Sequence, residues 1–137
     1  MCFSLYAATN ALQRAYAPLL KPSGLTYPQY LALVVLWELR EATVGEIGRR
    51  LFLDSGTLTP VLKRIAALGY LTRERDPADE RSVIVALTPR GRELETELAT
   101  IQRDIACTTA LSTEELFDLR DRLHDLRKNV NALQPSS

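Results

Sequence analysis

Apolar positions recur along this chain at helical spacing for most of its length, and polar breaks mark where one run stops and the next begins. From Cys2 to about Leu20 the residues are good helix formers, with Pro18 only near the end, and Lys21-Pro22-Ser23-Gly24 ends the run. Thr26 then reads as an N-cap with Pro28 in the first turn. The run to about Arg40 is apolar on nearly every face (Tyr30, Leu31, Leu33, Val34, Val35, Leu36, Trp37, Leu39), which predicts a buried scaffold helix. Thr43 caps a short helix with Val44, Ile47 and Leu51 inward.

Between Asp54 and Gly69 the residues sort into two arcs on a wheel turning about 100° per residue. Leu58, Val61, Leu62, Ile65 and Leu68 share one arc, and Ser55, Gly56, Thr59, Pro60 and Lys63 lie opposite. Pro60 favours a late start, which makes Thr57 an alternative to Asp54 as the cap. The outward arc carries hydroxyls, a glycine and one cation. It suits a DNA major groove, although the helix taken alone is better read as an ordinary amphipathic surface helix. The residues after Gly69 favour DNA. Tyr70–Arg75 alternates, 82–87 is β-rich, and Asp76-Pro77-Ala78-Asp79-Glu80-Arg81 forms a turn between them. The expected fold is mainly α with a small β-hairpin wing, a winged helix-turn-helix. Its DNA-facing candidates are Ser55, Gly56, Thr57, Thr59, Pro60, Lys63 and Arg64 on the helix, with Arg73, Asp79 and Arg81 on the wing. Arg81, at the trailing edge of the turn, is placed to enter a minor groove.

Thr88-Pro89 restarts a helix, whose seam is Leu94, Leu98, Ile101 and Ile105 and whose end carries Cys107. Ser112-Thr113-Glu114-Glu115 is a capping box, and beyond it Leu116, Leu119, Leu123, Leu126, Val130 and Leu133 step by threes and fours. Two such seams either pack on one another or meet a second copy. A helical homodimer is the reading adopted, because it would also set two recognition helices about one DNA turn apart. One domain is expected, with a winged core at about 27–87 flanked by dimerisation helices at 2–20 and 88–133.

At 137 residues, 46% hydrophobic and 25% charged, the chain has the composition of a globular domain. No run approaches the ~20 apolar residues of a membrane span and no secretory signal opens it, so a cytoplasmic protein is expected. Net charge is zero. The charge is segregated, however: nine cations stand against five acids from Arg49 to Arg92, and the rest of the chain is acidic. With one histidine, two cysteines and no Cys-x-x-Cys, neither a metal site nor a cofactor is expected.

Asp79-x-Arg81 followed by Leu87-Thr88 resembles the wing signature of the MarR family of winged-helix regulators. Cys2-Phe3-Ser4-Leu5-Tyr6-Ala7-Ala8, Leu25-Thr26-Tyr27-Pro28-Gln29-Tyr30 and Leu53-Asp54-Ser55-Gly56-Thr57-Leu58-Thr59-Pro60 are similar to the OhrR branch, repressors that sense organic hydroperoxides. The resemblance implies a dimeric repressor that binds a palindromic operator and leaves it when a cysteine of the first helix is oxidised. By position it makes Cys2 the peroxide-reactive thiol, Tyr6, Tyr16 and Tyr27 the phenols around it, and Cys107 the resolving thiol of the two-cysteine type. Such chains usually carry a further segment before the reactive cysteine, whereas only Met1 precedes Cys2 here; either the chain is trimmed or this part of the interface is shorter.

The residues carry part of this by themselves. Tyr6 is four positions from Cys2 and shares its helix face. Tyr16 is fourteen positions away, roughly 21 Å along a straight helix, so it cannot touch its own Cys2 unless the helix breaks; if it serves the thiol as the resemblance implies, it does so from the other subunit. Phenols can stabilise a thiolate, the form that attacks peroxide. Read without the family, Cys107 is a small buried hydrophobe and the tyrosines are core aromatics. Two other functions compete: a repressor released by a small phenolic or aromatic ligand, and a thiol peroxidase. The second would leave a whole winged helix unexplained, and the chain is read as a regulator rather than an enzyme.

Overall fold

Each helix of the structure, a computed structural model that describes residues 1–133, begins or ends at one of the polar punctuation marks of the sequence. α1 (Cys2–Leu20) runs unbroken through Pro18, and a 3₁₀ turn at Lys21–Ser23 closes on Gly24, whose φ of 73° favours glycine. α2 (Tyr27–Leu39) starts at Thr26, whose N–H donates to Gln29 Oε1 at 3.0 Å. It is the scaffold: Tyr30, Ala32, Leu33, Val35, Leu36 and Trp37 are buried, and its exposed residues are Pro28 in the first turn and Glu38 and Leu39 at the end. Fully burying each such large side chain contributes about 1.5–3 kcal/mol before entropy is counted. α3 (Val44–Leu51) is capped by Thr43, with Glu46 completing a reciprocal box, and buries Ile47 completely.

α4 (Ser55–Ala67) buries Leu58, Leu62 and Ile65 as the wheel requires. The structure decides between the two caps and differs from the sequence reading at Pro60 and Leu68. Asp54, not Thr57, is the cap: its Oδ1 accepts the Thr57 N–H at 2.7 Å. Pro60 sits inside the helix, where it forfeits the single bond it would have made to the exposed Gly56, a group that water can still reach. Leu68 is exposed rather than inward, because it is the C-cap residue and the chain leaves the helix there.

The hairpin is β2 (Leu71–Arg75) and β3 (Val83–Leu87), paired antiparallel with Arg73 opposite Val85. A third strand, β1 (Glu41–Thr43), is not visible in the sequence. It pairs with β3 and gives the order β1-β3-β2, so the root of the wing is anchored on the segment leading into α3. α5 (Pro89–Glu97) begins on Thr88 and packs its first turn against the wing root. The Thr88 hydroxyl accepts from the Gly91 N–H at 3.0 Å and donates to the Gly69 carbonyl at 2.6 Å. Trp37 Nε1 donates to the Gly91 carbonyl at 2.9 Å. A Cβ on Gly91 would lie 2.0 Å from the Tyr70 carbonyl oxygen, so only glycine lets the two backbones meet.

The single helix expected from Thr88 to Cys107 is two. α5 ends at Glu97 and, after a turn, α6 (Ile101–Thr108) resumes; Leu94, Leu98, Ile101 and Ile105 are nevertheless all buried. The chain divides into two compact units, Met1–Ile101 and the remainder from Gln102. In the second unit α7 (Thr113–Ala132) starts on the Ser112–Glu115 capping box and has no buried residue. Leu119, Leu123, Val130 and Leu133 are all exposed, as is Phe117. No helix among the described residues is long and apolar enough to cross a membrane.

Candidate nucleic-acid interface and thiol region

The outward face of α4 is assembled by its cap and its core contacts together. Burial of Leu58, Leu62 and Ile65 turns Ser55, Gly56, Pro60, Lys63 and Arg64 to solvent, with Thr57 beside the cap and Thr59 half-buried. The Thr57 backbone N–H beside Asp54 holds that carboxyl below the usual carboxylate range, so the cap stays charged through neutral pH.

The wing tip is held by its own acids. Asp76 accepts from the Ala78 N–H, and Asp79 accepts from the Arg81 N–H at 3.1 Å and from the Ser82 hydroxyl at 3.3 Å. Arg75 donates to the Glu80 carbonyl. Asp79 therefore shapes the loop, while the exposed Arg81 guanidinium makes no ion pair among the described residues. Asp79 is expected from the sequence on the DNA-facing side; in the structure its carboxylate accepts hydrogen bonds within the turn that carries Arg81.

Between the start of α4 and the wing lies a concavity of about 510 Å³. Arg49, Arg73 and Arg81 line it with Ser55, Thr59 and Ser82, and no acid does. The sequence reading places Arg73 and Arg81 on this face but misses Arg49, which reaches it from α3. Its membership in the local cationic run is the only available signal. Arg73 Nε is buried and has no hydrogen-bond partner.

Cys2 is the first residue of α1, Cys107 lies near the end of α6, and both are free, exposed thiols. The tyrosines separate into two sets. Tyr6 is largely exposed, one turn along from Cys2. Tyr16 is buried, its ring 4.8 Å from that of Tyr27 and 5.5 Å from that of Tyr30. Burial, reinforced by the neighbouring phenols Tyr30 and Tyr27, pushes Tyr16 up to about 12, and burial also raises Tyr27. Both are therefore protonated donors at neutral pH. Because α1 is continuous, Tyr16 stands about 21 Å along the helix from its own Cys2. One chain thus pairs Tyr16 with Tyr27 but does not bring them to its own thiol. A groove of about 560 Å³, lined by Gln13, Ala17, Lys21, Leu25 and Tyr27, opens beside these phenols. Among the described residues no group of His, Cys, Asp or Glu is placed to hold a metal.

Comparison with known proteins bears on both regions. A family model described as transcriptional regulator SarA/Rot matches residues 14–98. The chain is 47% identical over 132 residues to the HTH-type transcriptional regulator TtmR of Methylorubrum extorquens, covering 96% of this chain and 68% of that one. It is 43% identical over 131 residues to the organic hydroperoxide resistance transcriptional regulator of Bacillus subtilis, covering 96% and 89%. Among solved structures, reduced AbfR bound to DNA superposes with a TM-score of 0.81 at 36% identity, covering 94% and 90%. The disulfide form of AbfR gives 0.68 at 37% identity, covering 91% and 88%.

Proposed function

Since the chain belongs to the SarA/Rot/MarR family of winged-helix, DNA-binding transcriptional regulators, we propose that it is a thiol-switched repressor. Its reduced homodimer binds a palindromic operator and is released when an organic hydroperoxide oxidises Cys2. The thiolate attacks one peroxide oxygen, the O–O bond breaks, and the alcohol leaves with a proton; the sulfur is left as sulfenic acid. The Cys107 thiol of the other subunit then attacks that sulfur, water leaves, and a disulfide joins the two chains. That bond needs the two Cα atoms within about 4.4–6.8 Å, so helix movement accompanies oxidation wherever the reduced dimer holds them farther apart.

The observation that carries this reading is the pair of exposed free thiols in a chain 43% identical to an organic hydroperoxide regulator. AbfR adds a second support, because it has been seen reduced on DNA and separately with its disulfide formed. Overoxidised AbfR has also been seen on DNA, which favours the disulfide over simple addition of oxygen as the releasing species. Tyr6 acts on the Cys2 of its own chain. Tyr16 and Tyr27, protonated and remote from that thiol, serve the Cys2 of the partner, donating hydrogen bonds to the thiolate. The dimer is built on exposed apolar residues of α1, such as Phe3, and of α7.

The test is operator binding by fluorescence anisotropy, with and without one equivalent of cumene hydroperoxide per protomer. Release, reversed by dithiothreitol and accompanied by a cross-linked dimer on non-reducing gels, is expected. Undiminished binding after Cys2 has been fully consumed would end the proposal.

A further inference from the structure

A buried guanidinium nitrogen without a partner is costly, and proteins rarely leave one so unless something arrives to meet it. Arg73 Nε is such an atom. It belongs to β2, whose pairing with Val85 fixes the backbone, and its side chain lines the acid-free concavity that Arg49 enters from α3. Ser55, Thr59 and Ser82 add hydroxyls on the walls. Three guanidinium forks, those of Arg49 and Arg73 rooted in α3 and β2 and that of Arg81 at the wing tip, with hydroxyls around them and no carboxylate, are the chemistry that recognises a phosphate group.

We propose that Arg49 and Arg73 form a clamp for one DNA backbone phosphate per half-site, and that this clamp fixes how deeply α4 enters the major groove. The inference rests on the reading of the chain as a DNA-binding regulator and assigns a role distinct from that of Arg81. Arg81 lines the same concavity from the exposed wing tip, whereas Arg73 is rooted mid-strand and holds its Nε buried. A phosphate seated there touches α3, α4 and the wing at once. It positions the reading helix and carries no base information itself.

The experiment uses full-length reduced protein and a duplex enriched from a random pool by the wild type. Arg73→Gln should weaken binding to the enriched duplex and to the unselected pool by the same factor, about tenfold or more. The slope of log affinity against log salt should fall by about 2 per dimer, one phosphate contact in each protomer. Arg73→Lys should restore the slope but not the affinity. In a scan of single methylphosphonate substitutions, one position per half-site should cost the wild type affinity and cost Arg73→Gln nothing more. Affinity and slope unchanged in Arg73→Gln, a loss confined to sequence selectivity, full recovery with lysine, or equal methylphosphonate losses in both proteins would each overturn the clamp. Should Arg73→Gln misfold by circular dichroism, Arg49→Gln carries the same comparisons.

A separate arm titrates inorganic phosphate into the free protein and follows the Arg73 Nε–H resonance. A saturable shift that Arg49→Gln abolishes is expected, and a flat titration counts against the site. If the wild type bound no duplex while phosphate still moved that resonance, a phosphate site at Arg49 and Arg73 would stand, and the DNA reading and the clamp's part in seating α4 would both fall.

Discussion

Gly91→Ala sets two effects against each other at the junction of α5 and the wing. Gly91 is the third residue of a helix, where alanine is ordinarily better than glycine by roughly 0.5–1 kcal/mol. Packing opposes that gain. The new Cβ would lie 2.0 Å from the Tyr70 carbonyl oxygen and 3.2 Å from Leu87 Cδ2, so the backbones must part by more than an ångström. Overpacking of this kind costs about 1–3 kcal/mol or more. Parting them also stretches the bonds that close the junction: the Thr88 N–H to Tyr70, the Gly91 N–H to Thr88, and the buried Trp37 indole to Gly91. Each is worth about 1 kcal/mol. Strain should win, with a net loss of about 3 kcal/mol. Urea unfolding at fixed protomer concentration reads it directly, and hydrogen exchange should show Leu71 and Leu87 amides opening first. A midpoint equal to or above the wild type would refute the reasoning, since propensity would then outweigh contact.

Four further outcomes are expected of the same structure. Cys2→Ser should bind operator and ignore hydroperoxide, whereas Cys107→Ser should form a dimedone-reactive sulfenic acid yet stay on DNA; anisotropy with mass spectrometry checks both. Arg81→Ala should weaken DNA binding and lower the salt slope by about 2 per dimer, and an unchanged slope would remove the wing tip from the interface. Tyr16, pushed up to about 12, favours folding in its neutral form, so its contribution is complete below the ordinary phenol value of 10 and is lost as pH climbs toward 12. Tyr16→Phe should therefore show a smaller drop in urea midpoint between pH 9 and pH 11. Because the α7 stripe is exposed in a single chain, the melting temperature should rise by about 2–4 °C per tenfold increase in protein concentration, and a concentration-independent transition would count against the dimer.

Local rules make much of this fold legible. Thr26, Thr43, Thr88 and Ser112 each stand where an N-cap is expected, since a capping side chain acts within three residues and needs no tertiary knowledge. The scaffold character of α2 is equally plain from its all-round apolarity. β1 is hidden because three residues carry no periodicity; only pairing with β3, some forty positions on, makes them a strand. The break between Glu97 and Ile101 is hidden because a seam of apolar residues survives a short interruption of the helix under it. At the site, the solvent-facing side of α4 can be read from the wheel. That Arg49 joins Arg73, or that Tyr16 lies against Tyr27, depends on how helices pack, and spacing within one segment cannot supply it.

The carboxylate of Asp54 has a consequence for how DNA can be met. A helix usually offers its amino end to an anion, through free amide hydrogens and the positive pole of its peptide dipoles. Here that berth is already taken: an anion belonging to the chain itself sits on the first turn of α4 and stays ionised. An incoming strand would meet that negative charge at the tip and is expected to be received from the side. On the DNA-binding reading proposed above, cationic side chains around the helix, rather than its axis, are expected to decide where the backbone of the duplex comes to rest.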